Sequence, residues 1–340
     1  MKAFVVVARD PRGKQHWRTV GAPPMKIDDA REIARKTIRS IREAPPNSFE
    51  GVAREWFKRH VVKNKLRSAG ELERFMNQHL FDAWPGRDLS SIKRVDVVRI
   101  LDKIEDNHGA RQADEALSTL RRIFNWQEAR DQNFSSPLAR GMRRQKTKER
   151  ERKRVLTDDE IRTLWDATEG GTSYARIIRF ALLTGQRREK FATMDWADLD
   201  GNVWNIRTEE REKGNAGELV LPETALEVLG ERGEGLVFPG RDGKKISGWS
   251  KHKAMLDKRA KVDGWVFHDL RRTARSLMSR AGVRPDVAEK VLGHTLQGVE
   301  RVYDRHAYVE EKGEAVAKLA GLLGLILNPP QANVVHLKTS

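Results

Sequence analysis

Residues 268–308 read HDLRRTARSLMSRAGVRPDVAEKVLGHTLQGVERVYDRHAY, and the rest of the chain is best understood outward from them. His268 and Arg271 stand three residues apart where a helical pattern begins, with Ala274, Leu277 and Met278 on its apolar face. At that spacing an imidazole and a guanidinium lie on one side of one turn. A helix start also offers free amide donors to an anion. Pro285 suits a first helical position, and the short helix it opens ends at Leu292-Gly293-His294. Tyr303 follows nine residues after His294 and is one of only three tyrosines. Tyr308 is its obvious rival, whereas Tyr174 lies in an apolar pattern and is expected in a core. Taken alone, His-x-x-Arg is a weak pattern that arises by chance.

Two upstream segments complete the set. In Ala181-Leu-Leu-Thr-Gly-Gln-Arg187 the apolar stripe stops and Gly185 offers a C-terminal bend, so Arg187 emerges just past a helix. By itself this would be an ordinary surface arginine, since cations sit well at a helix C-terminus. Glu212-Lys213-Gly214-Asn215 lies between two strand-like runs. Lysine and glycine there are by default solvated turn residues, but a hairpin can also swing a proton donor onto a leaving oxygen. Together the side chains amount to two guanidiniums, two imidazoles, a lysine and a phenol. Arginine forks grip non-bridging phosphate oxygens, imidazoles move protons, and a phenol can form a reversible ester.

Composition points the same way. Sixty-five Lys and Arg against 49 Asp and Glu leave a net charge of +16 in 340 residues. Such an excess fits a polyanionic partner, nucleic acid before an anionic membrane surface. No apolar run reaches the ~18 residues of a membrane span. The opening MKAFVVVARD meets Arg9 and Asp10 without a small-residue cleavage site and is expected to be a strand. With no cysteine, disulfides, thiolate metal sites and cysteine nucleophiles are excluded, and a reducing cytosol is compatible. Nine histidines without a paired-ligand spacing give no reason to expect a metal. A basic RNA-binding protein is disfavoured, because no aromatic-rich motif of the RRM type is present.

The length allows two or three domains. Residues 1–46 form a small αβ module: β-rich runs at 3–8 and 16–20 flank an Asp10-Pro-Arg-Gly13 turn, and a helix begins near Asp28. Residues 49–139 read as all-helical, with Ser68-Ala-Gly-Glu71 as a capping box, a helix near 94–104 and a long one near 113–130 that turns Trp126 inward. Residues 140–154 are a basic linker, solvated or lying along phosphates. Thr157-Asp-Asp-Glu160 opens a last domain over 155–327. Three strands are expected there, at 203–207, 218–221 and 236–238, among helices near 158–167, 174–184, 248–261, 269–281, 285–292, 297–306 and 313–327. Residues 328–340 are expected to be disordered. The fold class is therefore mainly α with small β elements (α+β), in several domains.

In order and spacing these segments resemble the tyrosine recombinases, specifically phage- and genomic-island-type integrases. Thr184-Gly-Gln-Arg187 resembles their first arginine motif, Lys213 their hairpin lysine, seven residues before Val220-Leu-Pro. His268 and Arg271 match their His-x-x-Arg, Leu292-Gly-His294 their LGH, and Tyr303 their nucleophile. The resemblance implies an arm-site-binding N-terminal module, a helical SAM-like core-binding domain and a C-terminal mixed α/β catalytic domain. It implies Arg187, Lys213, His268, Arg271, His294 and Tyr303 as catalytic residues, acting through a 3′-phosphotyrosine without metal, ATP or other cofactor. The implied partners are double-stranded attachment-site DNA and a homotetramer, with a DNA-bending host factor and an excision factor as candidate accessories, and no membrane. The implied setting is the bacterial cytoplasm, at the nucleoid, and the implied task is to integrate or excise a prophage or genomic island.

One departure stands out. The first motif commonly continues Arg-x-x-Glu, but here it reads Arg187-Arg-Glu-Lys190, with the acid one position early at Glu189. How Arg187 is supported is left open. The substitution also gives the main alternative its footing, a DNA-binding regulator or excision accessory that has lost catalysis. A resolvase, telomere-processing enzyme or transposase would share the chemistry and differ in which strands are rejoined. The apolar helix at 315–327 could cover its own domain or dock onto a neighbouring protomer.

Overall fold

Two strands and a helix open the chain in the computed structural model, which describes residues 3–9, 15–42, 45–146, 152–208, 212, 214–294 and 308–330. The chain divides into two compact units, Met1–Glu151 and Arg152–Ser340.

In the first unit, β1 (Phe4–Arg9) and β2 (Gln15–Gly21) pair antiparallel, with Val7 opposite Trp17. Strand alternation turns Val6 and Ala8 inward, and α1 (Ile27–Arg42) packs on the pair. Val5, Val7 and Trp17 remain exposed. The expected turn at 10–13 lies outside the described residues.

The helical part follows. α2 (Phe49–Trp56) is capped by Ser48, whose hydroxyl accepts from the Gly51 amide at 3.1 Å. It runs on through a wider π-type turn, Phe57–Val62, where the Lys63 amide donates to the Lys58 carbonyl at 3.1 Å. α3 (Ala69–His79), α4 (Arg94–His108) and α5 (Ala110–Glu128) complete it. They close over an aromatic core in which the Phe49 ring lies 4.9 Å from Trp84 and 6.2 Å from Phe124.

Two expectations are corrected here. Ser68 does not cap α3: its backbone is near-helical (φ −82°, ψ 8°), whereas a capping hydroxyl needs an extended residue behind it. The preceding turn runs into the helix instead, with the Ala69 amide bonded to the Leu66 carbonyl. Trp126 is only half-buried, and the Arg130 guanidinium lies 3.9 Å above its ring.

The basic stretch is tied down at both described ends. The Arg144 amide donates to Asp114 at 2.7 Å, and the Arg144 side chain pairs with Asp102 and Glu105. Arg152 and Arg154 pair with Asp269 and Glu160 of their own unit. Residues 147–151 lie outside the described residues.

The second unit is built around α7 (Ser173–Thr184), whose Ile177, Ile178, Phe180, Ala181, Leu182 and Leu183 are all buried. α6 (Asp158–Ala167) precedes it, closed by the expected Thr157–Glu160 capping box. α8 (Arg188–Ala192) leads to a small antiparallel sheet of β3 (Leu199–Asp200), β4 (Val203–Asn205) and β5 (Glu218–Val220). The third strand is thus Leu199–Asp200 and not 236–238. Leu236 makes only an isolated bridge to Asp195, and a two-residue strand has no alternation to reveal it beforehand. After α9 (Glu223–Leu229) and α10 (Trp249–Ala260) come α11 (Phe267–Arg280), α12 (Pro285–Val291) and α13 (Val309–Leu327). The helix expected at 297–306 lies outside the described residues.

α13 covers its own domain. Ala315, Val316, Leu319, Leu323 and Ile326 are buried against α6, α7, α11, α12 and β5. Among the described residues no helix is long and apolar enough to cross a membrane.

Candidate active site

Gly185 ends α7 at φ 64°, a left-handed bend that glycine adopts without strain. A Cβ there would stand 2.9 Å from Leu292 Cδ2 and 3.3 Å from Ala274 Cβ, so α7 can approach α11 and the end of α12 only without a side chain. Gln186 is buried and donates to the Val291 carbonyl at 2.6 Å, tying the first arginine motif to the LGH turn. Arg187 then occupies the N-cap of α8, and its guanidinium donates to the Gly214 carbonyl at 3.0 Å.

Gly293 does a matching service from the other side. Its φ is 65°, and a Cβ would fall 2.5 Å from the Ala216 amide nitrogen and 2.7 Å from the Asn215 carbonyl carbon. The LGH turn therefore lies directly on the backbone of the β4–β5 connection. Asn215 folds that connection back by donating to the Ile206 carbonyl at 2.8 Å. Lys312 of α13, itself buried, donates to the Ala216 carbonyl. Burial pushes its ammonium below the ordinary lysine value.

On α11, His268 and Arg271 share a face. Arg271 is 4% exposed, and its guanidinium donates to the Gly185 carbonyl at 2.9 Å, the Leu292 carbonyl at 2.6 Å and His294 Nε2 at 2.8 Å. Burial, with the nearby charge of Arg187, lowers it to about 10, while Glu289 works in the opposite direction. It stays cationic at neutral pH. His268 is pushed below 6.5 by burial, then by Arg272, Arg271 and Arg187, with Asp269 opposing. Neutral imidazole is the form that accepts a proton.

His294 Nε2 accepts from Arg271, so its ring proton sits on Nδ1 and donates to Glu289 at 2.5 Å. Burial raises the Glu289 carboxyl, but hydrogen bonds from Arg275 and His294 outweigh it and hold the group below its ordinary value. In the first turn of α11, the fully buried Asp269 accepts from the Val266 amide at 2.9 Å and pairs with Arg152 and Arg272. Burial raises its carboxyl too, and the contacts from Arg152, Val266 and Arg272 bring it lower.

The fold thus gathers Arg187, His268, Arg271 and His294 from segments spread over more than 100 positions. Lys213 and Tyr303 lie outside the described residues. Of the other tyrosines, Tyr308 starts α13 in a left-handed conformation (φ 54°) with Lys290 Nζ 4.6 Å over its ring. Tyr174 is core as expected, buried and stacked on His252, and burial raises its hydroxyl.

Gln186, Glu212, Asp269 and Glu289 were not singled out from sequence. Gln186 stands inside the Thr-Gly-Gln-Arg motif, Glu212 next to Lys213 in the hairpin segment and Asp269 inside His-x-x-Arg; nothing local marks Glu289. Among the described residues no cluster of His, Asp and Glu is arranged to hold a metal ion.

The chain has relatives in sequence and in fold among known proteins. The phage integrase family matches residues 154–310, and the phage integrase central domain matches residues 49–142. The integrase of Salmonella phage P22 is 22% identical over 328 residues, covering 83% of this chain and 84% of that protein. In fold the chain is similar to lambda integrase residues 75–356 in a dimer bound to a core site (TM-score 0.60, 17% identity, 73% of this chain and 96% of that one). It is similar also to a lambda integrase tetramer bound to a Holliday junction (TM-score 0.57, 16% identity, 88% of this chain and 99% of that one). With both regions matched, together spanning more than half of its length, the chain belongs to the phage integrase family of tyrosine recombinases.

Proposed function

We propose that this site-specific recombinase cuts and rejoins DNA through a 3′-phosphotyrosine formed by Tyr303, and that its task is to integrate or excise a mobile element at attachment sites. The observation that carries this reading is the convergence of Arg187 and Arg271. Burial, and after it the nearby charge of Arg187, lowers Arg271, a cost best offset by a bound phosphate.

Each step balances. The Tyr303 oxygen attacks the scissile phosphorus as the bond to the 5′-oxygen breaks, the phenol proton passes to His268, and Lys213 protonates the departing 5′-oxygen. Arg187 and Arg271 hold the non-bridging oxygens as charge builds in the transition state. His294 contacts the phosphate after giving up its present bond to Arg271, its ring held in place by Glu289. One ester replaces another, so a 5′-hydroxyl of a second duplex can reverse the reaction.

The net charge of +16 suits a duplex partner. The β1–β2–α1 module is the proposed arm-site reader and the helical part of the first unit the proposed core-site clamp. A homotetramer is the proposed working assembly, by analogy with the similar lambda integrase solved as a tetramer on a Holliday junction. A DNA-bending host factor and an excision factor are its proposed accessories.

A suicide substrate nicked near the cleavage point tests the core of this. A recombinase traps itself covalently on it; a regulator that has lost catalysis binds and releases. Absence of any adduct on a correctly identified core site would overturn the proposal.

A further inference from the structure

Lys190 takes the place where an acid commonly supports the first arginine, yet it is not left as a stray charge. Its side chain is 7% exposed, and Nζ donates to Glu212 Oε2 at 2.6 Å and to the Arg207 carbonyl at 2.6 Å. Glu212 is 15% exposed, and its second oxygen, Oε1, lies 3.5 Å from Arg187 Nη1. Glu189, the acid one position early, is taken up by Arg188 at 3.2 Å and Lys245 at 2.7 Å. One carboxylate thus bridges two cations that stand three residues apart at the start of α8.

We infer that Glu212 and Lys190 form a charge-reversed buttress: the acid that positions Arg187 has moved from α8 to the β4–β5 connection, and Lys190 holds it there. This rests on the catalytic role proposed for Arg187. A buried carboxylate or ammonium left alone carries a large desolvation cost, so each member of the pair requires the other. Glu212 orients the guanidinium from one side while the Gly214 carbonyl fixes the same nitrogen from another. An arginine fork displaced by ~1 Å loses much of its effect on a transition state. Glu212 is a positioning residue, since it acts through Arg187 and not on the phosphate. It also directly precedes Lys213 in the chain. A purely structural clasp, or one that serves only the proton donor, is the competing explanation.

The full-length protein and a nicked suicide substrate separate these explanations. Glu212→Gln should slow covalent adduct formation at saturating protein about tenfold or more while DNA affinity changes less than about threefold. A second substrate, with sulfur in place of the bridging 5′-oxygen, has a leaving group that needs no proton. The Lys213→Ala defect should vanish on it, and the Glu212→Gln defect should persist. In Lys190→Met/Glu212→Gln neither charge is buried alone, so thermal stability should return toward wild type while cleavage stays slow. That double variant also replaces Glu212→Gln in every comparison if the single variant fails to fold.

Wild-type cleavage kinetics in Glu212→Gln would overturn the inference. So would rescue of its defect by the sulfur substrate, or recovery of cleavage together with stability in the double variant. A wild-type protein that forms no adduct removes the recombinase reading and this inference with it.

Discussion

His294 Nε2 accepts a hydrogen bond from Arg271 at 2.8 Å, so the two groups proposed to share a phosphate are bonded to each other. Substrate must exchange this contact for its own. Arg271 meanwhile keeps two buried carbonyls satisfied, those of Gly185 and Leu292. It is therefore a structural donor as well as a proposed catalytic cation, and Arg187, with 39% of its side chain exposed, is less of a structural donor.

That difference is measurable. Arg271→Ala leaves the Gly185 and Leu292 carbonyls without this donor and should lower stability by ~1–3 kcal/mol, besides reducing cleavage by orders of magnitude. Arg187→Ala should reduce cleavage as severely with a smaller drop in melting temperature. Equal melting temperatures for the two variants would contradict the dual role of Arg271.

Tyr303→Phe should bind core-site DNA with wild-type affinity and form no adduct. Tyr308→Phe should keep adduct formation, because its ring packs under Lys290 and against the domain core at the start of α13. Mass spectrometry of the protein–DNA adduct after proteolysis identifies the esterified residue. A peptide esterified at Tyr308 would reassign the nucleophile.

His268 is expected to set an acid limit on cleavage. Burial, then Arg272, Arg271 and Arg187, lower its folded pKa below 6.5, so near that pH the folded imidazole binds less proton than the unfolded one. Unfolded, it takes up a proton near 6.5, so the fold loses stability as pH falls through 6.5, and the loss stops growing below the folded value. Single-turnover cleavage should decline on the acid side only below 6.5, and His268→Asn should abolish that limb. A limb unchanged in His268→Asn assigns the proton acceptor elsewhere.

Gly293→Ala tests the contact between the LGH turn and the β4–β5 connection. The new Cβ meets backbone at 2.5 Å and the φ of 65° disfavours alanine, so a stability loss of ~1–3 kcal/mol is expected. Cleavage should fall more than DNA affinity, since the displaced Asn215–Ala216 backbone adjoins the carbonyl that fixes Arg187. Thermal unfolding and adduct kinetics on one preparation read both effects. Unchanged kinetics would show that the turn does not govern this connection.

α13 answers a question that its apolar pattern could not. Leu319 and Leu323 are buried in their own domain, so Leu319→Ala should cost ~2–5 kcal/mol of stability even in an isolated protomer. Unfolding of dilute monomer measures it. A loss seen only in the assembled protein would instead indicate docking between protomers.

Much of the local architecture was legible because it depends on near neighbours. The Thr157–Glu160 capping box, the bend at Gly185 and the proline start of α12 each follow from residues a few positions apart. The same local logic failed at Ser68, where a preceding turn set the backbone and denied the hydroxyl its capping geometry. It failed at Leu199–Asp200 as well, since two residues carry no period.

What the sequence by itself determined is the list of chemical groups and their order: Arg187, Lys213, His268, Arg271, His294 and Tyr303, on a basic and mainly helical chain. Only the tertiary structure decided which carboxylate stands by which cation. Glu212 reaches Lys190 and Arg187 across 22 and 25 positions, and Asp269 takes Arg152 from 117 positions away. Ion pairing is set by distance in space and by shared burial, and neither is written in the spacing of residues along a chain.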